Sequence, residues 1–383
     1  MDFDQVIDRR KTESIKWNHF DEDVLPMWVA DMDFRSPQTV IDALHDRVDH
    51  GIFGYGGPPE GLRSAIIQHL DNRHHWQIEP RAIEFISGVV TGFTHAIYSL
   101  TDPGDKVLIQ TPAYPPFLAA PVSTGRDCVI NELLQTGDGR YEIDFDDFEA
   151  KIASGVKLFI LCNPQNPTGR VFRHEELLRM AEICLAHGTQ ICSDEIHADL
   201  IYPGERHIPI ASLSSEISQN TVTYFAPSKT FNLAGFSTSV YVTENPDMQK
   251  TLSKSMRMLL GHPNILGLYA AHAAYKDGSD WLNNLMVYLQ DNRDFLAEFV
   301  ANKLDGIRMW KPEGTYLGWL DCRDLDLSVS PQKFFLEEAR VGLNDGADFG
   351  KAGQGFVRLN FGCPRKILEA GMSRIKTALE NRN

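Results

Sequence analysis

Several features are missing from this 383-residue sequence, and each absence removes a class of function. It has no run of about 18 apolar residues, so no membrane-spanning helix is expected. It has no basic excess: 37 Lys and Arg stand against 52 Asp and Glu, and the formal charge is -15. Such a charge argues against nonspecific nucleic-acid binding and against an anionic membrane surface. It has no C-x-x-C pair; Cys128, Cys162, Cys184, Cys192, Cys322 and Cys363 are scattered through apolar surroundings. They read as reduced, buried thiols, not as disulfides or a zinc site. Met1-Asp2-Phe3-Asp4-Gln5 lacks the apolar core of a secretion signal, so a cytoplasmic protein is expected. No internal repeat or low-complexity linker is visible. What is present is ordinary for a globular chain, 43% hydrophobic and 23% charged, and long enough to bury large cores.

The chain opens with an extended piece rich in tryptophan, Lys16-Trp17-Asn18 and Leu25 to Phe34. Ser36-Pro37 then predicts a helix start with Pro37 as its first residue. From Ile83 onward, short buried strands alternate with amphipathic helices, the pattern of a doubly wound α/β sheet. Ser87-Gly88-Val89-Val90-Thr91-Gly92 joins a strand to a helix, a turn that leaves backbone N–H groups open to an anion such as phosphate. Tyr114 follows a strand on a proline-stiffened loop, and Gly54-Tyr55-Gly56-Gly57-Pro58 displays another tyrosine on a glycine-rich one. Three consecutive strands then each end on a polar residue. Val156 to Cys162 runs into Asn163-Pro164-Gln165-Asn166, Thr189 to Ser193 into Asp194, and Thr221 to Phe225 into Ser228-Lys229. Ligands of open α/β sheets bind outside these strand ends, so Asn166, Asp194 and Lys229 should converge on one site. The last third turns to an α+β texture, with strands expected at Gly314–Leu320 and Gly355–Phe361. A large α/β domain over 46–276 and a small domain of 1–45 plus 277–383 are therefore expected.

A strand-end lysine with an aspartate, an Asn-Pro turn and a helix-N-terminal phosphate site resembles the fold type I enzymes that use pyridoxal 5'-phosphate (PLP). Longer stretches resemble one group within them, the MalY/PatB-type cystathionine β-lyases or cysteine C–S lyases. These are Trp28 to Phe34, Gly54-Tyr55, Ser193-Asp194-Glu195-Ile196-His197-Ala198-Asp199-Leu200, Ser228 to Gly235 and Arg358 to Arg365. The resemblance implies that Lys229 holds the cofactor covalently and then carries the substrate's Cα proton. It implies that Asp194 pairs with the pyridine nitrogen, Asn166 binds the ring's phenolate oxygen and Tyr114 stacks on the ring. Gly88, Val89, Val90 and Ser228 would hold the phosphate, and His197 would stand beside the cofactor. Arg358 would fork the substrate carboxylate, with Asn166, Ala30 and Tyr316 completing the substrate pocket. Tyr55 would reach the neighbouring active site of a homodimer.

The sequence departs from typical aminotransferases at two positions: His197 stands where many carry a tyrosine, and Ser237 where many carry a phosphate-binding arginine. Taken alone, His197 also reads as a packed histidine, Tyr316 as core, and Asp31 and Asp33 as caps or surface charges. The activity expected is β-elimination from cystathionine or an S-substituted cysteine. Transamination with a 2-oxo acid on the same scaffold is the alternative, and a noncatalytic regulator the rival of another class.

Overall fold

Runs such as Val156–Cys162 and Thr221–Phe225 are apolar on both faces, which suits a strand covered by helices on both sides. The computed structural model, which describes residues 2–382, has that arrangement. An N-terminal segment carries α1 (Ile15–Asn18), the short strand β1 (Leu25–Pro26), α2 (Gln38–Asp49) and α3 (Leu62–His74). Then come β2 (Ile83–Ile86), α4 (Val89–Leu100), β3 (Lys106–Thr111), α5 (Pro115–Ser123) and β4 (Asp127–Glu132). A small hairpin, β5 (Leu134–Gln135) and β6 (Tyr141–Glu142), leads to α6 (Phe145–Ala153), β7 (Val156–Cys162), α7 (His174–Ala186) and β8 (Gln190–Asp194). The next elements are α8 (Ser215–Gln219), β9 (Thr221–Phe225), the single turn α9 (Pro227–Thr230) and β10 (Ser239–Val242).

The central sheet has seven strands in the order β2-β10-β9-β8-β7-β3-β4. Strand β10 is antiparallel to β2 and β9, and the remaining pairs are parallel. The register sets Cys162 opposite Asp194, and Asp194 opposite Tyr224, so three neighbouring strands end at one level. Helix α4 lies against β9 at Gly92, where an added Cβ would fall 2.4 Å from the Tyr224 ring. A glycine there lets the helix approach closely enough to aim its N-terminus at those strand ends.

Helices α10 (Pro246–Leu259), α11 (Ile265–Asp277) and α12 (Ser279–Lys303) lead to the second sheet. Its elements are β11 (Arg308–Met309), β12 (Leu317–Asp321), α13 (Pro331–Glu337), β13 (Val341–Gly342), β14 (Asn344–Asp345), β15 (Phe356–Asn360) and α14 (Arg365–Glu380). Four of these strands form an antiparallel sheet, β11-β12-β15-β14, while β13 pairs in parallel with β1 at the other end of the sequence. On α12, Leu285 and Leu289 are fully buried, and Tyr288, Phe295 and Phe299 pack half-buried against the same core.

Two expected elements differ. Pro37 is extended, with ψ 141°, and precedes α2 as its cap. The strand expected from Gly314 starts only at Leu317. Thr315 has φ +69°, which no strand residue adopts, and Gly314 forms an isolated bridge to Ile201. Glycine is needed at 314 because a Cβ would lie 2.9 Å from the Leu200 carbonyl oxygen.

Candidate active site

The strand ends, the start of α4 and Arg358 enclose a cavity of about 310 Å³, the size of a small-ligand pocket. Lys229, Asp194, Asn166, Tyr114, Arg358, His197, Ser228, Ala30, Gly88, Val89 and Val90 all line it. Lys229 sits on α9, one residue after Ser228, and its Nζ donates to the Ala30 carbonyl at 2.5 Å. Burial, reinforced by Arg358, depresses the amine to about 8, with Asp31 and Asp194 pulling the other way. Near neutral pH the lysine therefore has a substantial neutral, nucleophilic fraction.

Asp194 closes β8 and is buried. Burial raises its carboxyl to about 7; the Ile196 N–H at 3.0 Å opposes this, Glu195 adds to it, and Lys229 opposes it. A buried carboxylate raised this far will favour a ligand that brings a protonated nitrogen.

Arg358 is the converse case. Its Nη1 donates to Asn166 Oδ1 at 2.9 Å, and its Nη2 to Asn344 Oδ1 at 2.6 Å and to the Trp28 carbonyl at 3.1 Å. Asn344 stands directly across the β14–β15 ladder, so the cross-strand pairing aims the fork. The guanidinium lies 4.9 Å from the Phe349 ring centroid, and its Nε is buried without a partner. All of these acceptors are neutral, and burial pushes the guanidinium down to about 10. A desolvated cation with neutral neighbours is a receptor for an anion.

Gly88 takes φ +94° before α4, a backbone that glycine adopts freely, and no side chain caps that helix. The first N–H groups of α4 thus face the cavity rim as an anion site. Among the described residues lining the cavity, Lys229 and Arg358 are the only lysine or arginine side chains. Tyr114 is half-buried, and burial raises its hydroxyl. His197 is buried, its Nδ1 has no partner, and burial holds it far below the usual imidazole range, so it is neutral.

Two expected site residues lie elsewhere. Tyr316 is buried behind Ala30, donating its hydroxyl to the same carbonyl as Lys229 at 3.1 Å, and does not line the cavity. Tyr55 stands fully exposed on its loop, away from the cavity of its own chain. Asp31 and Asp33 are not surface caps. Asp33 is buried and accepts from Lys16 Nζ, Arg9 Nη1 and Trp17 Nε1, each at 2.7 Å, while Asp31 takes a fork from Arg9 at 2.5 and 2.8 Å. The cations, Arg9 and Lys16, come from upstream in the sequence.

Sequence reasoning also missed Thr91, Cys162 and Ile196 in the lining, together with Asn344, while Ser237, noted in place of a phosphate-binding arginine, does line it. It missed Asn232 and Asn360 as well, whose amides bind the carbonyls of Val29, Asp31, Met32 and Phe34 and hold the segment carrying Ala30. The available signal was a single asparagine inside each of two motifs, Ser228 to Gly235 and Arg358 to Arg365.

The family described as "Aminotransferase class I and II" matches residues 22–375. The chain is 43% identical over 387 residues to cystathionine beta-lyase PatB of Bacillus subtilis, covering 99% of this chain and 100% of the relative. Among solved structures, cystalysin from Treponema denticola, which contains a pyridoxal 5'-phosphate cofactor, superposes with a TM-score of 0.96 at 33% identity over 100% of this chain and 99% of that one. The PLP-bound C-S lyase of Staphylococcus hominis does so with a TM-score of 0.94 at 33% identity over 100% of both chains.

Proposed function

The chain belongs to the aminotransferase class I and II family, and from that premise we propose that it is a PLP-dependent carbon–sulfur lyase of the cystathionine β-lyase type. Its reaction takes cystathionine or an S-substituted cysteine, with water, to a thiol, pyruvate and ammonia. The observation that carries this reading is the convergence of Lys229, Asp194, Asn166 and Arg358 on one cavity with an uncapped helix N-terminus. These residues fit the cofactor: a buried carboxylate, an anion site at α4, and a lysine of lowered pKa each meet one of its groups.

When bound, PLP supplies a protonated ring that stabilises negative charge at the substrate's Cα. The residues then divide the work. Lys229 would hold the cofactor covalently and, once released by the incoming amino group, take the Cα proton on its neutral amine. Asp194 would face the pyridine nitrogen and keep it protonated. Asn166, whose Oδ1 is engaged by Arg358, has its amide NH2 left to donate to the phenolate oxygen. The α4 N–H groups with Ser228, Thr91 and Ser237 would hold the phosphate, Tyr114 and His197 would flank the ring, and Arg358 would bind the substrate carboxylate beside Ala30. Tyr55 would complete the phosphate site of a second copy in a homodimer, which agrees with its full exposure here. The two-domain division at 46–276 belongs to the same reading, since the seven-stranded sheet lies inside it and the four-stranded sheet outside.

The test is to mix the cofactor-loaded protein with cystathionine and no keto acid, and to assay pyruvate and free thiol. Both should appear in equal amounts. Their absence, with amino transfer only when a 2-oxo acid is added, would replace the lyase by an aminotransferase.

A further inference from the structure

Lys229 and Asp194 are each followed in sequence by a residue bound into one buried network on the far side of the strand ends. Thr230 Oγ1 donates to Asp199 Oδ2 at 2.9 Å. The other oxygen, Asp199 Oδ1, lies 2.8 Å from His69 Nε2 and 3.2 Å from His74 Nε2, both on α3, and 3.5 Å from Arg73 Nε. His74 packs edge-on against His207 at 5.1 Å between centroids, and His207 Nε2 lies 2.8 Å from Glu195 Oε2. Glu195 Oε1 in turn accepts from Ser193 at 2.8 Å. The members of this chain from Asp199 to Glu195 are buried.

The cluster is a hydrogen-bond network and not a cation site. Both imidazoles direct Nε2 at one carboxylate oxygen, and a metal placed there would face Arg73. Burial would raise Asp199, but His69 and His74 hold it well below the usual carboxylate range, so it is an ionised acceptor. Burial holds His74 below its ordinary value, so it donates as a neutral imidazole.

Helix α9 needs such an anchor. It has four residues and one backbone bond closing its turn, Phe231 N–H to the Pro227 carbonyl at 2.9 Å. A single turn is not stable on its own, because nucleating a helix fixes several residues for one hydrogen bond. The direction in which Lys229 points is therefore set by contacts from outside the turn: the Ala30 carbonyl on its Nζ, the Leu233 N–H on the Ser228 carbonyl at 3.1 Å, and Asp199 on Thr230. Thr230 is the residue on that turn whose hydroxyl is gripped, and Asp199 does the gripping.

We propose that Asp199, acting through Thr230 and held by His69 and His74, is a positioning residue that sets the Lys229 amine toward the cavity. Neither Asp199 nor Thr230 lines the cavity, so neither acts on substrate directly. The inference rests on the reading of Lys229 as the cofactor lysine. The charged groups that act on the Lys229 amine are Arg358, Asp31 and Asp194; those around Asp199 are His69, His74 and Arg73.

The test uses the cofactor-loaded protein and the variants Thr230→Val, Thr230→Ser and Asp199→Asn. Two quantities are read: the pH midpoint at which the bound cofactor's absorbance changes, without substrate, and the split of turnover into kcat and KM. For Thr230→Val we expect a midpoint shift of about half a pH unit or more and a fall in kcat on the order of tenfold, with KM within about twofold. Thr230→Ser should restore both, and Asp199→Asn should shift the midpoint in the same sense. Should the valine variant fail to fold, the serine and Asp199→Asn proteins decide the matter by the same midpoint. Variants that lose thermal stability but keep the parent midpoint and kcat would overturn the proposal, as would a serine variant that behaves like valine. The midpoint is read without an amino acid, so it stands whether the enzyme proves to be a lyase or an aminotransferase. A protein that takes up no cofactor would sink the underlying reading instead.

Discussion

Asp194 makes the stability of the cofactor-free chain depend on pH. Its folded-state value of about 7 lies above the ordinary 3.8. Between those values the folded chain holds a proton that the unfolded chain has lost, so stability falls as pH rises through that window and stays low above it. In the cofactor-free protein, Asp194→Asn should therefore gain relative to the parent by a few kcal/mol on going from about pH 4 to pH 8. Thermal melts of both cofactor-free proteins at the two pH values measure this; parallel pH profiles would count against it. At this scale the sequence was legible where a polar residue follows a strand, as with Asn166, Asp194 and Lys229, which line one cavity; Arg358, in the middle of β15, was legible only through the family resemblance. It was not legible where a polar residue is defined by a distant partner. Asp33 finds its cations at positions 9 and 16, Asp199 meets a histidine 130 residues away, and Tyr316 turns its hydroxyl to the backbone of Ala30. No local pattern encodes such pairings.

Elements carry a second kind of information, the closeness of their contacts. Gly92→Ala would thrust a methyl into the Tyr224 ring at 2.4 Å, so α4 must lift from β9. The expected loss is about 1–3 kcal/mol of stability, and because the N-terminus of the same helix borders the cavity, cofactor affinity should fall as well. Thermal melting and a cofactor titration read the two effects; a fall in stability with unchanged affinity would show that the rim does not follow the helix. Strand existence and order of chemistry were legible because β7, β8 and β9 are apolar runs with abrupt polar ends. The start of β12 was not, since Gly314-Thr315-Tyr316 has strand composition but Thr315 takes φ +69° to meet the loop at Leu200. Likewise Ser36-Pro37 marks the beginning of α2 without revealing that Pro37 stays outside it.

For the whole molecule, the loop from Gly51 to Gly57 is exposed throughout and bears Ile52, Phe53 and Tyr55. If it serves a second copy, Tyr55→Ala should lower cofactor affinity by about tenfold, the scale of one lost hydrogen bond to a charged group, while the protein still sediments as a dimer. Affinity equal to the parent's would remove Tyr55 from the site. Neither the composition nor the glycine-rich setting assigns Tyr55 this role; the family resemblance implies it.

Ala30, whose carbonyl receives both Lys229 and Tyr316, belongs to the first tenth of the chain but is fixed by its last strand: Asn360 binds the Val29 carbonyl from 331 residues away. During synthesis at roughly 10 residues per second, the opening segment must wait about half a minute for the strand that will seat it. The seven-stranded sheet is complete well before then. The nascent chain therefore passes through an interval in which Lys229 has been made and the strand that seats Ala30 has not.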